Sequence, residues 1–431
     1  MLLAAPAPAL AAAAARPGWS QPFRMVAASS LDVSPPQAAF SSTGATALGF
    51  GLENLDRPGA SSAFAADGAS ATSLGRPRRV TGAEQTLALA YSGKQLVLLV
   101  GSSPSGLDCC SAVAAVKAAT SGAFGTPRTL VRGLIGTTTA TLVTLPGRLL
   151  GAIATQRGVW VSQSGADGHF GPARQLTDSA VLAEALDATA LGGNESAVAW
   201  AASSSDPTLP GATTLPGAQS IFLATGSVQR APRSGTAVIT VAPDHWIDEL
   251  ALAADGRVPT VAWVESWFDA SGVYRSQLQV ADLRGTVHAL AISSAAELAS
   301  GVMFAADTKG DQVLAWKGCT VAGTCVVRAA LRNRGGGFTA PQLLGPADGS
   351  QVPAAAMGPG GQPVVGWIAH GHVLAAAGGA GARRLGAAKL VANTNYAADL
   401  SLAFNPLGQA LATWTQGTLA QSVIGARYQT K

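Results

Sequence analysis

The sequence predicts an all-β protein, a β-propeller built from four-stranded antiparallel blades. Three observations support this prediction. The 431 residues include 51 Gly and 24 Pro, which indicates many tight turns. Only 12% of the residues are charged, which is too few for a solvated disordered chain. Short apolar segments also recur with a period of about 52 residues, long enough for four strands.

The recurring element is a hairpin in which an alternating strand, a Gly-containing turn and a more apolar strand follow one another. It occurs eight times, for example as A-D-G-R-V-P-T-V-A-W and as N-P-L-G-Q-A-L-A-T-W. The turn glycines of the eight units are Gly44, Gly93, Gly147, Gly193, Gly256, Gly310, Gly360 and Gly408. A four-stranded sheet repeated at this spacing is typical of a propeller blade.

A second pattern predicts the outermost strand of each blade. Several units continue with a Gly-rich turn and then aromatic-x-x-Pro-x-x-apolar, as in G-G-G-F-T-A-P-Q-L-L around Phe338 and Pro341. Proline has no N–H to donate to a strand ladder, so it suits a strand at the solvent-exposed edge of a sheet.

The two termini complement each other. The last unit supplies inner strands between residues 399 and 428 but lacks the aromatic-Pro strand, whereas G-W-S-Q-P-F-R-M-V near the N-terminus provides one. Pairing of these segments would close the ring without an unpaired edge. We expect a single domain over residues 16–431 with eight blades, or seven if the weak first unit is miscounted.

Residues 1–15 form an apolar, Ala-rich segment that ends in small residues and is followed by Arg16-Pro17-Gly18. This pattern favours a signal-like export segment, although the usual positive start is missing and a disordered tail is the alternative. The expected location is therefore secreted, extracellular or in the cell envelope. Apolar runs are too short for a transmembrane span.

Four cysteines in an exported chain favour disulfides over a metal site. Cys319 and Cys325 flank a short loop between two apolar strands, so a bond between them would clamp a hairpin. Cys109 and Cys110 are adjacent, and a bond between neighbours would be strained because their Cα atoms lie only about 3.8 Å apart. A second structural clamp is the alternative for this pair.

The repeats resemble those of secreted β-propeller proteins of actinobacteria, in which V-V-A-W, V-x-A-A-x-R, G-G-x-F and x-x-P-x-x-L follow one another. The best match runs from Val313 to Leu344. Such proteins are grouped beside the sialidase-like propellers, and the resemblance implies a fold without implying an activity. The segment S-G-A-D-G-H-F around Asp167 is similar to the sialidase Asp box, but the spacing of its residues differs from that motif.

Five tryptophans occupy equivalent positions after the turn glycines and are interpreted as core residues rather than a ligand cage. They are Trp200, Trp263, Trp316, Trp367 and Trp414.

Candidate binding residues cluster in the loops opposite the Gly turns, where loop length is concentrated. Acids stand near the starts of inner strands, and aromatic residues occur in D-H-W-I-D-E and E-S-W-F-D. The candidate ligand-binding residues are Trp246, Asp248, Trp267, Tyr274, Tyr396, Asp399 and Glu184. Converging carboxylates could bind sugar hydroxyls or a structural cation such as calcium. The alternative is that each acid caps its own turn while the aromatics fasten loops.

Familiar catalytic motifs are absent from the sequence, including G-x-S-x-G, the Walker loop, H-E-x-x-H and C-x-x-C. The net charge of +4 is spread over short clusters, so no nucleic-acid partner is expected. We expect no cofactor, no catalytic residue set and a monomeric protein. The leading hypothesis is an exported, non-enzymatic propeller that binds a carbohydrate, peptide or other surface ligand. The alternatives are a sialidase-like glycoside hydrolase and a purely structural spacer.

Overall fold

The computed structural model describes residues 18–29, 32–53, 62–80, 82–102, 110–116, 124–134, 139–155, 158–177, 182–203, 219–283, 289–418 and 421–429. Secondary structure in these ranges consists of β-strands. They contain no helix long and apolar enough to cross a membrane. The export segment predicted at residues 1–15 and the side chains of Cys109 and Cys110 lie outside the described part.

The strands assemble into eight antiparallel sheets, numbered here in chain order from the first complete hairpin. The N-terminal strands are β1 (Gly18–Trp19) and β2 (Phe23–Ser29). Sheet 1 contains β3 (Asp32–Val33), β4 (Gln37–Phe40), β5 (Thr46–Glu53), β6 (Ser62–Gly68) and β7 (Arg78–Arg79). Sheet 2 contains β8 (Gln85–Ser92), β9 (Gln95–Ser102), β10 (Cys110–Val116) and β11 (Arg128–Leu134). Sheet 3 contains β12 (Thr139–Leu145), β13 (Arg148–Thr155), β14 (Gly158–Gln163) and β15 (Arg174–Gln175).

The remaining sheets repeat the same antiparallel order from an inner to an outer strand. Sheet 4 contains β16 (Leu182–Leu191), β17 (Glu195–Ser203), β18 (Ser220–Ser227) and β19 (Thr236–Thr240). Sheet 5 contains β20 (His245–Asp255), β21 (Val258–Phe268), β22 (Tyr274–Asp282) and β23 (Leu290–Ala291). Sheet 6 contains β24 (Leu298–Ala306), β25 (Gln312–Cys319), β26 (Cys325–Arg332) and β27 (Gln342–Ala347). Sheet 7 contains β28 (Ala354–Met357), β29 (Pro363–Ala369), β30 (His372–Ala377) and β31 (Lys389–Ala392), and sheet 8 contains β32 (Ala397–Phe404), β33 (Gln409–Gln416) and β34 (Gln421–Gln429).

The fold is a β-propeller of four-stranded antiparallel blades, as the sequence predicts. The inner strand of each sheet contacts the inner strand of the next, from β4 and β8 through β28 and β32, and β32 contacts β4. The sheets are therefore arranged around a closed ring. One end of the ring, the loop face, carries the loops between second and third strands and between successive sheets. The other end, the Gly-turn face, carries the turns between first and second strands.

The turn glycines explain why the hairpins form where the sequence places them. Seven of the predicted glycines adopt positive φ in the turn between the first two strands, for example 58° at Gly93 and 63° at Gly256. Sheet 7 is the exception, because Gly361 rather than the predicted Gly360 has positive φ, at 76°. Side chains with a Cβ rarely adopt this backbone conformation, which is why the turns retain glycine.

The predicted pairing of the two termini is confirmed. Trp19 of β1 pairs with Tyr428 of β34, and Phe23 of β2 pairs with Gly425. The rings of Trp19 and Tyr428 are also in contact, with centroids 5.2 Å apart. The first residues of the described chain thus complete the sheet formed by the last ones, and β34 is covered on both sides.

The hydrophobic core lies between neighbouring sheets. The five repeated tryptophans each expose 0–1% of their surface and pack among apolar residues of adjacent sheets, which confirms the core interpretation. Trp200, for example, lies in a cluster that joins Val198 of its own sheet to Leu150 of sheet 3.

Inner strands carry irregularities near the loop face. The ladders of β16, β20, β24 and β32 shift register there, so that Glu184, Asp248, Gly301-Val302 and Asp399-Leu400 are the extra residues. Such bulges turn a side chain out of the regular alternation. Three of the predicted candidate residues therefore stand at equivalent, special backbone positions.

The predicted disulfide between Cys319 and Cys325 is confirmed. The two residues face each other across the β25–β26 hairpin with their Cα atoms 4.0 Å apart. Gly323, with a φ of 83°, allows the five-residue loop to turn between them. The bond thus clamps a loop at the loop face of sheet 6.

Candidate functional site

Sheet 5 provides the most extended strands at the loop face. β20 and β21 have 11 residues each, and their pairing continues to His245 opposite Trp267. β21 and β22 then pair up to Phe268 opposite Tyr274, and residues 269–273 form the tip. Because this hairpin is longer, its side chains at the loop face lie beyond the bulge at Asp248.

Asp248 is the polar centre of this region. It is exposed at the bulge in β20, and both of its carboxylate oxygens accept hydrogen bonds. The Trp246 indole Nε1 donates to Oδ1 at 2.8 Å, and the Tyr274 hydroxyl donates to Oδ2 at 2.9 Å. The Ser266 hydroxyl also donates to Oδ2 and lies 3.0 Å from the Tyr274 hydroxyl. The network fixes Asp248, Ser266 and Tyr274 at one spot on the surface.

Three aromatic rings surround this carboxylate. Trp246 is 9% exposed and supports the outer rings of Phe268 and Tyr274, whose centroids lie 5.6 and 6.1 Å from its own. Phe268 and Tyr274 meet edge to face at 5.9 Å. Phe268 remains 55% exposed and Tyr274 36% exposed. We call Trp246, Asp248, Ser266, Phe268 and Tyr274 the aromatic platform.

The neighbouring pair His245 and Trp267 lies on the opposite face of the β20–β21 ladder from the platform, because successive side chains of a strand point to opposite faces. Their rings stack with centroids 4.9 Å apart at an interplanar angle of 12°. The Nδ1 atom of His245 lies 2.5 Å from Oε1 of Glu265. Trp267 is half-buried, and its ring is in contact with His245 rather than with the platform.

The tip of the hairpin is held by Asp269. Its Oδ1 accepts hydrogen bonds from the backbone N–H of Ser271 and of Val273, and its Oδ2 accepts one from Nε of Arg275 at 2.9 Å. The Ser271 hydroxyl and these other donors hold the pKa of the Asp269 carboxyl far below its usual value. The tip that carries Phe268 and Tyr274 is thereby locally ordered.

Burial raises the pKa of the Tyr274 phenol, and the nearby carboxylates of Asp248 and Glu249 raise it further. The hydroxyl group of Tyr274 therefore stays protonated across physiological pH. It can act as a hydrogen-bond donor but not as a phenolate.

The other predicted residues lie on different sheets. Tyr396 is 60% exposed on the loop face just before β32 of sheet 8. Asp399, also on β32, accepts a hydrogen bond from the Thr415 hydroxyl at 2.9 Å, and burial raises its pKa. The side chain of Glu184 in β16 lies outside the described residues. The structure thus brings three of the seven predicted residues together, Trp246, Asp248 and Tyr274, and places Trp267, Tyr396 and Asp399 apart from them.

Two of the other acids near the starts of inner strands, Asp187 and Glu249, join adjacent sheets. Glu249 accepts hydrogen bonds from the backbone N–H groups of Gly301 and Val302, at 2.9 and 2.7 Å. Asp187 accepts them from Leu252 and Ala188, at 2.8 and 2.7 Å. These two carboxylates satisfy backbone groups at inter-sheet contacts, a role that neither the ligand-binding nor the turn-capping interpretation anticipated.

Ser266 is the platform residue that sequence reasoning missed. It stands between two residues already noted, Glu265 and Trp267, and a lone serine carries no pattern of its own. Its pairing opposite Trp246 in the β20–β21 ladder is what brings its hydroxyl to Asp248.

No group of three or more His, Cys, Asp or Glu side chains suited to a metal ion occurs among the described residues. The described residues therefore give no structural support for the calcium ion considered from the sequence.

No protein-family model and no curated protein sequence matches the chain. Among solved structures, it is similar to the Dos1 propeller, with a TM-score of 0.51 and 11% identity over 94% of this chain and 93% of that one. It is also similar to an ulvan lyase from a new family of polysaccharide lyases, with a TM-score of 0.51 and 10% identity over 81% and 93% of the two chains. A Hadza microbial sialidase aligns at a TM-score of 0.38 and 14% identity over 74% and 73%, which is too distant to carry an argument. At these identities the comparisons show the fold alone, and that fold is the β-propeller.

Proposed function

We propose that this protein is an exported, non-enzymatic propeller that binds carbohydrate at the aromatic platform. The observation that carries the proposal is the pair of exposed rings, Phe268 and Tyr274, held beside the exposed Asp248 carboxylate. Apolar side chains that cluster on a surface beside polar groups are typical of binding sites.

The chemistry of the platform suits a sugar ring. The apolar face of a sugar can pack against the rings of Phe268 and Tyr274, while its hydroxyl groups donate to the remaining lone pairs on Asp248 or to the hydroxyl oxygen of Tyr274. Because the network already fixes these side chains, little conformational entropy is lost when a ligand binds. Polysaccharide is the ligand class acted on by the ulvan lyase to which the fold is similar, which agrees with the proposal.

A binding role is favoured over catalysis by the number of carboxyl groups. A glycoside hydrolase needs two carboxyl groups that flank the scissile bond. Among the described residues the aromatic platform contains one, that of Asp248, and the nearby Glu265 contacts His245 on the other face of the ladder. The sialidase-like hydrolase, which needs arginines for the substrate carboxylate, remains the alternative, and Arg275 beside the platform is paired with Asp269.

Export is supported by the disulfide between Cys319 and Cys325, because such bonds persist in oxidising compartments. The signal-like residues 1–15 point in the same direction.

We further propose that the ring has eight blades. The support is that eight sheets each contain a hairpin with a positive-φ glycine, and that their inner strands follow one another around the ring.

The proposal is tested first by replacing Phe268, because its exposed ring takes no part in the hydrogen-bond network around Asp248. Phe268→Ala and the double variant Phe268→Ala/Tyr274→Ala should lose binding to the glycans that the parent protein retains on an array of neutral oligosaccharides. Tyr396→Ala is the matched control, because it removes a similarly exposed aromatic ring from another sheet of the same face.

Parent-like glycan binding by the double variant would refute the platform assignment. Binding of peptides or proteins alone, with no glycan retained, would refute the ligand class. Product release from arylglycosides, sialosides or polysaccharides would overturn the non-enzymatic role and favour the hydrolase.

A further inference from the structure

The Gly-turn face carries a groove that the aromatic platform does not use. It lies where the turns of sheets 4, 5 and 6 meet, has a volume of about 510 Å³, and is lined by Arg257, Lys309 and Arg334. A second groove of about 650 Å³ shares Arg257 and continues past Arg230 and Arg233 in the turn between β18 and β19. We call the two together the basic groove.

The turns of adjacent sheets fix the floor of this groove. The backbone N–H of Gly192 donates to the carbonyl of Gly256 at 2.7 Å. Gly193 has a φ of 79°, and a Cβ at this position would lie 2.6 Å from Nη2 of Arg257. The guanidinium of Arg257 therefore lies directly against a turn that only glycine leaves open for it.

Asp255, which lines the groove, and the nearby Asp307 accept hydrogen bonds from groups other than the side chains of the three cations. Oδ2 of Asp255 accepts hydrogen bonds from Nη2 of the buried Arg332, at 3.2 Å, and from the N–H of Gly335, at 3.0 Å. Oδ1 of Asp307 accepts from the backbone N–H of Lys309 at 2.9 Å.

The same holds for Asp311, whose Oδ1 accepts from the backbone N–H of Arg334 at 3.0 Å. These bonds use backbone groups and leave the charged ends of Lys309 and Arg334 exposed. Within the described ranges, none of the ion pairs involves Arg257, Lys309 or Arg334. Glu195 is the other carboxylate of the lining, at the far part of the second groove.

We propose that the basic groove binds an acidic polysaccharide, a chain with repeated carboxylate or sulfate groups. Five exposed cations spread over two joined grooves fit a linear polyanion better than one small anion. The described residues of the lining include no aromatic side chain, whereas proteins that bind single-stranded nucleic acid stack its bases on aromatic rings. This second site lies on the opposite face from the aromatic platform and does not depend on it.

The test uses the full chain with polygalacturonate as the carboxylate probe, dextran sulfate as the sulfate probe and neutral dextran as the uncharged reference. The groove variant is Arg257→Gln/Lys309→Gln/Arg334→Gln. The control variant, Lys94→Gln/Arg383→Gln/Arg384→Gln, removes the same charge from exposed positions of the same face outside the groove. Circular dichroism verifies that both variants keep the fold.

The parent protein should bind at least one anionic polymer and not neutral dextran, with an affinity that falls as salt rises. The groove variant should lose roughly tenfold or more in affinity, and the control less than about twofold. Retention on polygalacturonate identifies carboxylate as the recognised group, and retention on dextran sulfate alone identifies sulfate. The proposal is overturned if neither polymer binds, if the two variants lose affinity equally, or if a single-stranded oligonucleotide binds as tightly as the polysaccharides. Phe268→Ala should leave this binding unchanged, which separates the two sites.

Discussion

The substitution Asp187→Asn is expected to remove a pH-dependent part of the stability. Asp187 lies at the contact between sheets 4 and 5, where its oxygens accept backbone N–H groups of Ala188 and Leu252. Burial raises its pKa from 3.8 to about 6 despite these two hydrogen bonds, because desolvation of the charged form outweighs them.

The sign of the effect follows from proton binding. Between pH 4 and 6 the folded protein holds a proton on Asp187 that the unfolded chain has released, so the free energy of unfolding falls as pH rises through this window. A difference of about 2 pKa units corresponds to about 3 kcal/mol. Asparagine does not titrate, so Asp187→Asn should gain stability relative to the parent by up to this amount between pH 3.5 and pH 7.

The assay is urea unfolding of both proteins, followed by tryptophan fluorescence, at intervals across that range. Asp187→Ala is a second non-titrating variant, and it should show the same pH-dependent gain with a lower overall stability, since it loses both hydrogen bonds. Parallel pH profiles for the parent and Asp187→Asn would refute the assignment of this ionisation to the inter-sheet contact.

Two further predictions concern the closure of the fold. Replacing Cys319 and Cys325 by serine should lower the free energy of unfolding by about 2 kcal/mol, because the bond restricts the unfolded chain and a loop of this length corresponds to about that much chain entropy. Adding reductant to the parent protein should reproduce the loss. An unchanged urea midpoint would contradict the prediction. Deleting residues 1–29, which include β1 and β2, should expose the edge of β34, lower the melting temperature and promote self-association; a monomer of unchanged melting temperature on size-exclusion chromatography and thermal scans would show that the terminal pairing does not hold the ring closed.

The sequence by itself determined the repeating architecture. Three local patterns carried this information: the turn glycines, the apolar second strands, and the outer strand of the last unit, which the N-terminus supplies. Each reflects a backbone requirement that recurs in every blade. The same locality made the bond between Cys319 and Cys325 predictable, because the two cysteines are only six positions apart along one hairpin.

Only the tertiary structure decided which polar residues meet. Asp248, Ser266 and Tyr274 converge through the register of the β20–β21–β22 ladders and a bulge, which composition does not encode. Arg257 and Arg334 are separated by more than a full repeat in the chain, yet they line one groove because neighbouring turns lie side by side around the ring. The repeats fix the ring, whereas the contacts between sheets decide where its charges and aromatic rings are gathered.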